Sequence, residues 1–189
     1  TNKVDRTFAE GLHDALNWAK AQEGLKGIII GTAHKNFCVG ADIEGLVPMR
    51  DPQATFEYVT QLNQLFRSIE TAGVPVVAAL TGSALGGGYE LALATHRRLS
   101  LDSPKLQIGL PEVTLGVIPG AGGTQRLPRI VGLQKALEHI TMGQPVRAPK
   151  ALKLGMVDAA YATAEELYAA AKAWIAEHPK AKQPWDDKG

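Results

Sequence analysis

Three features of the sequence predict an α/β fold: two short buried strand patterns rich in β-branched residues, amphipathic helical spacing between and after them, and a glycine-rich turn joining the second strand to a helix. Thr7 and Glu10 have capping-box spacing, and Phe8, Leu12, Ala15, Leu16 and Ala19 follow at helical intervals, which predicts a first helix. "KGIIIG" reads as a buried strand bounded by glycines. The loop "TAHKNFCVGADIEG" follows, and apolar spacing predicts a helix over Ala54 to Thr71. "VPVVAAL" is the second buried strand and feeds the turn "TGSALGGGYELALA". Beyond Pro111 the pattern is of glycine-punctuated turns and helices, at Leu133–Met142, Ala148–Leu154 and Thr163–His178. The last of these opens on the capping-box pair Thr163 and Glu166.

Composition narrows the function classes. A net charge of +1 argues against a general nucleic-acid or membrane-surface role, which needs a concentrated basic face. No apolar run approaches the roughly 20 residues of a spanning helix. The single cysteine, Cys38, has no partner for an internal disulfide, and this fits a reducing, cytoplasmic setting. The start lacks methionine and a signal-peptide core, and the end "AEHPKAKQPWDDKG" reads as a helix stop followed by a polar linker. The expected organisation is one domain over residues 1–178, shortened at both ends, and the beginning of a linker at 179–189.

A strand, a glycine-rich turn and a helix together present backbone N–H groups to negative charge. Neither glycine cluster has the lysine of a P-loop or the spacing of a dinucleotide fingerprint, which disfavours a nucleotide-phosphate binder. The same physics then serves an oxyanion that develops during reaction. The small residues Gly40 and Ala41 in "FCVGADIEG" make that loop a candidate second donor, against the plain alternative that both loops are only tight turns.

Two carboxylates stand in apolar company: Glu90 in "GGGYELALA" and Glu112 in "GLPEVTLGVIPG". Each alone reads as an exposed helix stripe. Buried together, both are expected to have raised pKa values, as suits an acid and a base working beside a carbonyl. Rival machinery is thin. The five histidines lack zinc spacing, and no serine-hydrolase elbow is present. Cys38 reads as a small hydrophobe. Lys35, Arg97 and Arg98 read as surface charges, and Trp18, Trp174 and Trp185 show no stacking pattern.

"FCVGADIEGL", "ALGGGYELALA" and "GLPEVTLGVIPGAGGTQRLPRIVG" resemble, in the right order, the crotonase (enoyl-CoA hydratase/isomerase) superfamily. The tail "AKQPWDDKG" is similar to the linker after the N-terminal hydratase domain of bacterial multifunctional fatty-acid oxidation proteins. The resemblance implies a crotonase-like spiral of repeated ββα units with helices packed around it. It places the oxyanion-hole N–H groups on Ala41 and Gly87, the catalytic carboxyls on Glu90 and Glu112, and a water-positioning backbone group on Gly120. Gly40, Asp42, Ile43 and Gly86 fall among the substrate-binding positions. The chain departs from the family in lacking the strand and loop before the first helix, in its short C-terminal end, and in a longer segment between the two glutamates.

The implied activity is a lyase reaction, hydration of a 2-trans-enoyl-CoA in fatty-acid β-oxidation. CoA would be part of the substrate, with no metal or redox cofactor, and NAD would belong only to a following domain. The alternatives are a Δ3-Δ2-enoyl-CoA isomerase, with which activity could be shared, another crotonase-family acyl-CoA enzyme, and a catalytically silent partner-docking domain. Implied partners are an acyl-CoA and further copies or subunits of a multifunctional complex.

Overall fold

The computed structural model describes residues 2–41 and 51–186. Helix α1 (Arg6–Lys20) is capped by Asp5, whose carboxylate accepts the Phe8 N–H at 2.7 Å. The expected Thr7–Glu10 box is therefore corrected. A carboxylate at the N-cap serves both the orphan N–H and the positive helix end, and Glu10 turns instead to Arg6 one turn back, at 3.1 Å. Strand β1 (Ile28–Ile30) follows, then α2 (Pro52–Glu70). Helix α2 starts ahead of the expected Ala54, because Asp51 caps the Gln53 N–H and Pro52 suits the first turn. Its apolar face (Leu62, Leu65, Phe66 and Ile69) is buried.

Strand β2 (Val76–Leu80) is wholly buried and leads through β3 (Ala84–Leu85) into α3 (Gly87–Leu93). Next come β4 (Arg97–Leu101), β5 (Gln107–Gly109), a 3-10 turn at Glu112–Leu115, α4 (Gly123–Val131) and α5 (Leu133–Met142). The chain continues through β6 (Val146–Arg147), α6 (Ala148–Leu154), β7 (Ala159–Tyr161) and α7 (Ala164–Glu177). The capping box predicted for the last helix is present, with Thr163 and Glu166 satisfying each other's backbone N–H groups.

One sheet is parallel throughout, in the order β1-β2-β4-β7. A smaller one runs β3-β5-β6, with β6 antiparallel. Each turn of the chain contributes one strand to the large sheet, one extended segment to the small one, and then a helix. The series is β1, the Cys38 bridge to Ala84, and α2; then β2, β3 and α3; then β4, β5 and α4. This is the repeated ββα spiral.

Two expectations about charge and aromatics are corrected here. Arg98 is no surface residue. It is 5% exposed on β4, donates to the Thr95 carbonyl at 3.0 Å and pairs with Asp158 at 2.8 Å. Burying a guanidinium is tolerable only with such partners, and Asp158 lies too far along the chain to be seen as one. Arg97 lies 5.8 Å over the Trp174 ring, which itself stacks on His178 at 4.5 Å. After α7 the chain turns back onto the domain. Gln183, 2% exposed, donates to the Ala94 and Thr95 carbonyls, and Asp186 meets Arg67 through two hydrogen bonds at 2.6 and 3.0 Å.

Candidate active site

The site grows from the turn between β2 and α3. Leu85 donates its N–H to the Cys38 carbonyl at 2.9 Å, which zips the loop before Ala41 against β3. Gly88 completes that contact, since a Cβ there would collide with the Cys38 carbonyl. Gly86 has φ +52°, a conformation that side chains rarely adopt, and its carbonyl accepts the N–H groups of Tyr89 and Glu90 as α3 begins. Gly40 and Gly86 abut: a Cβ on Gly86 would lie 3.4 Å from the Gly40 Cα. A Cβ on Gly87 would lie 3.9 Å from the Ala41 nitrogen. The two candidate donor segments thus stand side by side. Gly87, first in its helix, has an N–H with no carbonyl one turn behind it.

Glu90 lies one turn into α3 and is 2% exposed. Its Oε1 accepts two backbone N–H groups, from Ala121 and Gly123, each at 2.8 Å. Burial pushes its pKa up to about 7; those two bonds pull the other way, and the charge of Glu112 adds to the rise. Glu112 opens the 3-10 turn and is half-buried, and burial raises its pKa as well. Its Oε1 sits beside Gly86, 2.9 Å from where a Cβ would be, and its Oε2 is buried with no hydrogen-bond partner among the described residues. A buried carboxyl oxygen without a partner is costly unless a ligand supplies one.

Gly120 lies at the exposed rim of the loop whose next peptide reaches Glu90, with its carbonyl held by Asn63 Nδ2 at 2.8 Å. Gly40, Ala41, Gly86, Gly87, Glu90, Glu112 and Gly120 therefore fall in one region, while Asp42 and Ile43 lie outside the described residues. Cys38 is buried and free, as a space-filling residue should be, and Lys35 is exposed. Sequence reasoning missed Asn63, Arg126 and Glu70. Arg126 donates to the Ala121 carbonyl at 2.8 Å and to Glu70 Oε1 at 2.7 Å. Its position in "TQRLPR" offered no signal, because its carboxylate partner is 56 residues away.

The groove of about 680 Å³ between α1 and α2, bordered by His13, Asp14, Glu57 and Tyr58, contains none of these site residues. Among the described residues no three His, Cys, Asp or Glu side chains converge as a metal site would require. Nor is any described helix long and apolar enough to cross a membrane.

Comparison with known proteins agrees with the fold. The family model described as enoyl-CoA hydratase/isomerase matches residues 1–184. Over 158 residues the chain is 44% identical to the fatty acid oxidation complex subunit alpha of Shewanella loihica, covering 83% of this chain and 22% of that relative. It therefore spans about a fifth of that protein's length. The crystal structure of enoyl-CoA hydratase from Bacillus anthracis superposes with a TM-score of 0.82 at 32% identity, over 93% of this chain and 67% of that one. The corresponding structure from Thermoplasma volcanium gives 0.82 at 31% identity, over 96% and 69%. With its spiral of ββα units and the two glutamates converging on paired glycine turns, the chain belongs to the enoyl-CoA hydratase/isomerase family.

Proposed function

We propose that the chain adds water across the double bond of a 2-trans-enoyl-CoA, giving a 3-hydroxyacyl-CoA in fatty-acid β-oxidation. The observation that carries this reading is the pair of carboxyls, both with raised pKa, brought together beside two abutting backbone turns. The N–H groups of Ala41 and Gly87 would hold the thioester oxygen as negative charge develops on it. One such donor is worth on the order of 3 kcal/mol in a transition state. With Glu90 Oε1 occupied by two N–H groups, its other oxygen is left for the attacking water. Glu90 would take the proton from that water as oxygen bonds to C3, with Gly120 helping to place it. Glu112 would deliver a proton to C2. Coupled carboxyls share their titration, so this division describes one route through the pair.

Gly40, Asp42, Ile43 and Gly86 would border the acyl-CoA. The reaction consumes no redox equivalent, so NAD has a role only in a separate domain. The Shewanella loihica relative is a complex subunit, which supports a multifunctional assembly. That relative's greater length supports a further domain in the whole protein, while residues 179–186 pack back on this one through Gln183 and Asp186 rather than opening a linker at 179. An isomerase can shuttle a proton with a single glutamate, so the presence of both favours hydration. A silent docking domain would have no use for either.

The test is loss of the conjugated-thioester ultraviolet absorbance of crotonyl-CoA, in the parent chain and in Glu90→Gln and Glu112→Gln. Hydration that collapses in both variants supports the reading. A parent silent toward crotonyl-CoA but active on a 3-enoyl-CoA moves the assignment to isomerase.

A further inference from the structure

Three consecutive peptide planes run through the loop that faces Glu90. The plane from Gly120 to Ala121 gives its N–H to Glu90 Oε1, while its carbonyl accepts from Asn63 Nδ2, both at 2.8 Å. The plane from Ala121 to Gly122 has its carbonyl held by Arg126 Nη1 at 2.8 Å. The plane from Gly122 to Gly123 gives its N–H to the same Glu90 oxygen at 2.8 Å, and its carbonyl accepts the Gln125 and Arg126 N–H groups at 3.0 and 2.9 Å. A peptide is rigid, so fixing a carbonyl fixes the N–H on the other side. Without that hold, a loop with Gly122 at φ +95° has wide rotational freedom.

Asn63 and Arg126 also close the loop sterically: a Cβ built on Gly122 would run into Arg126 Nη1 and come within 3.1 Å of Asn63 Oδ1. Arg126 is itself anchored. Its Nε meets Glu70 Oε1 at 2.7 Å, and Arg67 takes the other Glu70 oxygen at 2.7 Å. Neither Arg126 nor Glu70 is thus a buried charge without a partner.

We propose that Asn63 and Arg126 are positioning residues for the reaction: Asn63 locks the peptide plane whose N–H, from Ala121, grips one oxygen of Glu90, and the Arg126 side chain fixes the plane between the two gripping peptides, so that together they aim the other Glu90 oxygen at the reacting atoms. This rests on reading Glu90 as an acid–base group. A carbonyl that accepts a hydrogen bond also polarises the N–H of its own peptide. Asn63 therefore strengthens the grip as well as orienting it. Besides these N–H groups, the charges facing Glu90 are Glu112 from the 3-10 turn and Arg126 from α4.

The experiment uses the whole chain, Asn63→Ala and Arg126→Lys, with kcat and KM for crotonyl-CoA measured across pH. Alongside, Glu90 is titrated by carbon-13 NMR of labelled glutamate, with Glu90→Gln assigning its signal. Lysine keeps the charge but lacks the fork that reaches Glu70 and the Ala121 carbonyl together. The expected result in both variants is a kcat lower by about tenfold, a KM within about twofold, and a Glu90 titration moved to higher pH. Unchanged kcat and titration would overturn the proposal. So would a fall in kcat with the Glu90 titration unmoved, which marks a merely structural role. If Arg126→Lys fails to fold, Asn63→Ala decides alone, since it removes a half-buried neutral amide. If the parent does not hydrate crotonyl-CoA, the functional reading fails, and the titration still judges the clamp.

Discussion

The segments 76–94 and 111–120 look alike on paper: each is apolar, carries glycine and holds one isolated glutamate. The fold treats them oppositely. In the first, β2 and α3 are buried throughout, and Glu90 is met by two backbone donors. In the second, Val113, Leu115, Val117 and Ile118 are 41–72% exposed, and one oxygen of Glu112 is buried without a partner among the described residues. Desolvation raises both carboxyls, but Glu90 has its anion gripped by two backbone N–H groups from another loop, whereas Glu112 has only its own. A finished environment suits the group that must hold water in a fixed place. An unfinished one suits the group whose partner arrives with the substrate.

The sharpest way to break this contrast is at Glu90 itself. Glu90→Gln keeps the acceptor for both N–H groups but removes the proton site, and kcat is expected to fall by about a thousandfold in the crotonyl-CoA assay. Gly88 tests the closed region. Gly88→Ala drives a methyl into the Cys38 carbonyl, so the loss of stability should reach about 3 kcal/mol, measured by denaturant unfolding.

Linkage supplies a third test. The folded pKa of Glu90, about 7, lies above its ordinary value of 4.5, so the folded chain binds the proton more tightly than the unfolded one. Its contribution is full below about pH 4.5 and is lost as pH rises through about 7, amounting to roughly 3 kcal/mol at most. Glu90→Gln should therefore melt higher than the parent at pH 8, and this advantage should disappear at pH 5. A stability difference that is the same at pH 8 and pH 5 would mean that folding does not raise the carboxyl's pKa. The smallest effects belong to the open region. Gly120→Ala meets nothing within 4 Å and Ile118 is 72% exposed, so Gly120→Ala and Ile118→Thr should each shift stability by less than about 0.5 kcal/mol.

Much of the frame was legible because its signals are local. The runs at Ile28–Ile30 and Val76–Leu80, the Thr163 capping box and the helix at Leu133–Met142 came out where pattern placed them. The strands β3, β5, β6 and β7 did not, since two- and three-residue strands carry no period and exist only through distant partners. Strand β4 was hidden by the charges that open it, Arg97 and Arg98, and the burial of Arg98 depends on Asp158. For the site, the glycine turn and both odd glutamates could be picked out by their chemistry. The peptide clamp could not, because Asn63 reads as one more polar residue on a helix.

The residue order by itself determined an α/β chain with a glycine turn feeding a helix, two carboxyls in apolar settings, and no nucleotide-phosphate fingerprint. These follow from local rules of periodicity, turn chemistry and residue type. Only the tertiary structure decided that Gly40 would meet Gly86, that the Ala121 and Gly123 N–H groups would both find Glu90, and that Arg126 would be tied to Glu70. Each of these joins residues far apart along the chain. Burial and hydrogen-bond satisfaction are properties of where the whole chain lies, and they left one glutamate gripped by two backbone N–H groups and one oxygen of the other without a partner among the described residues.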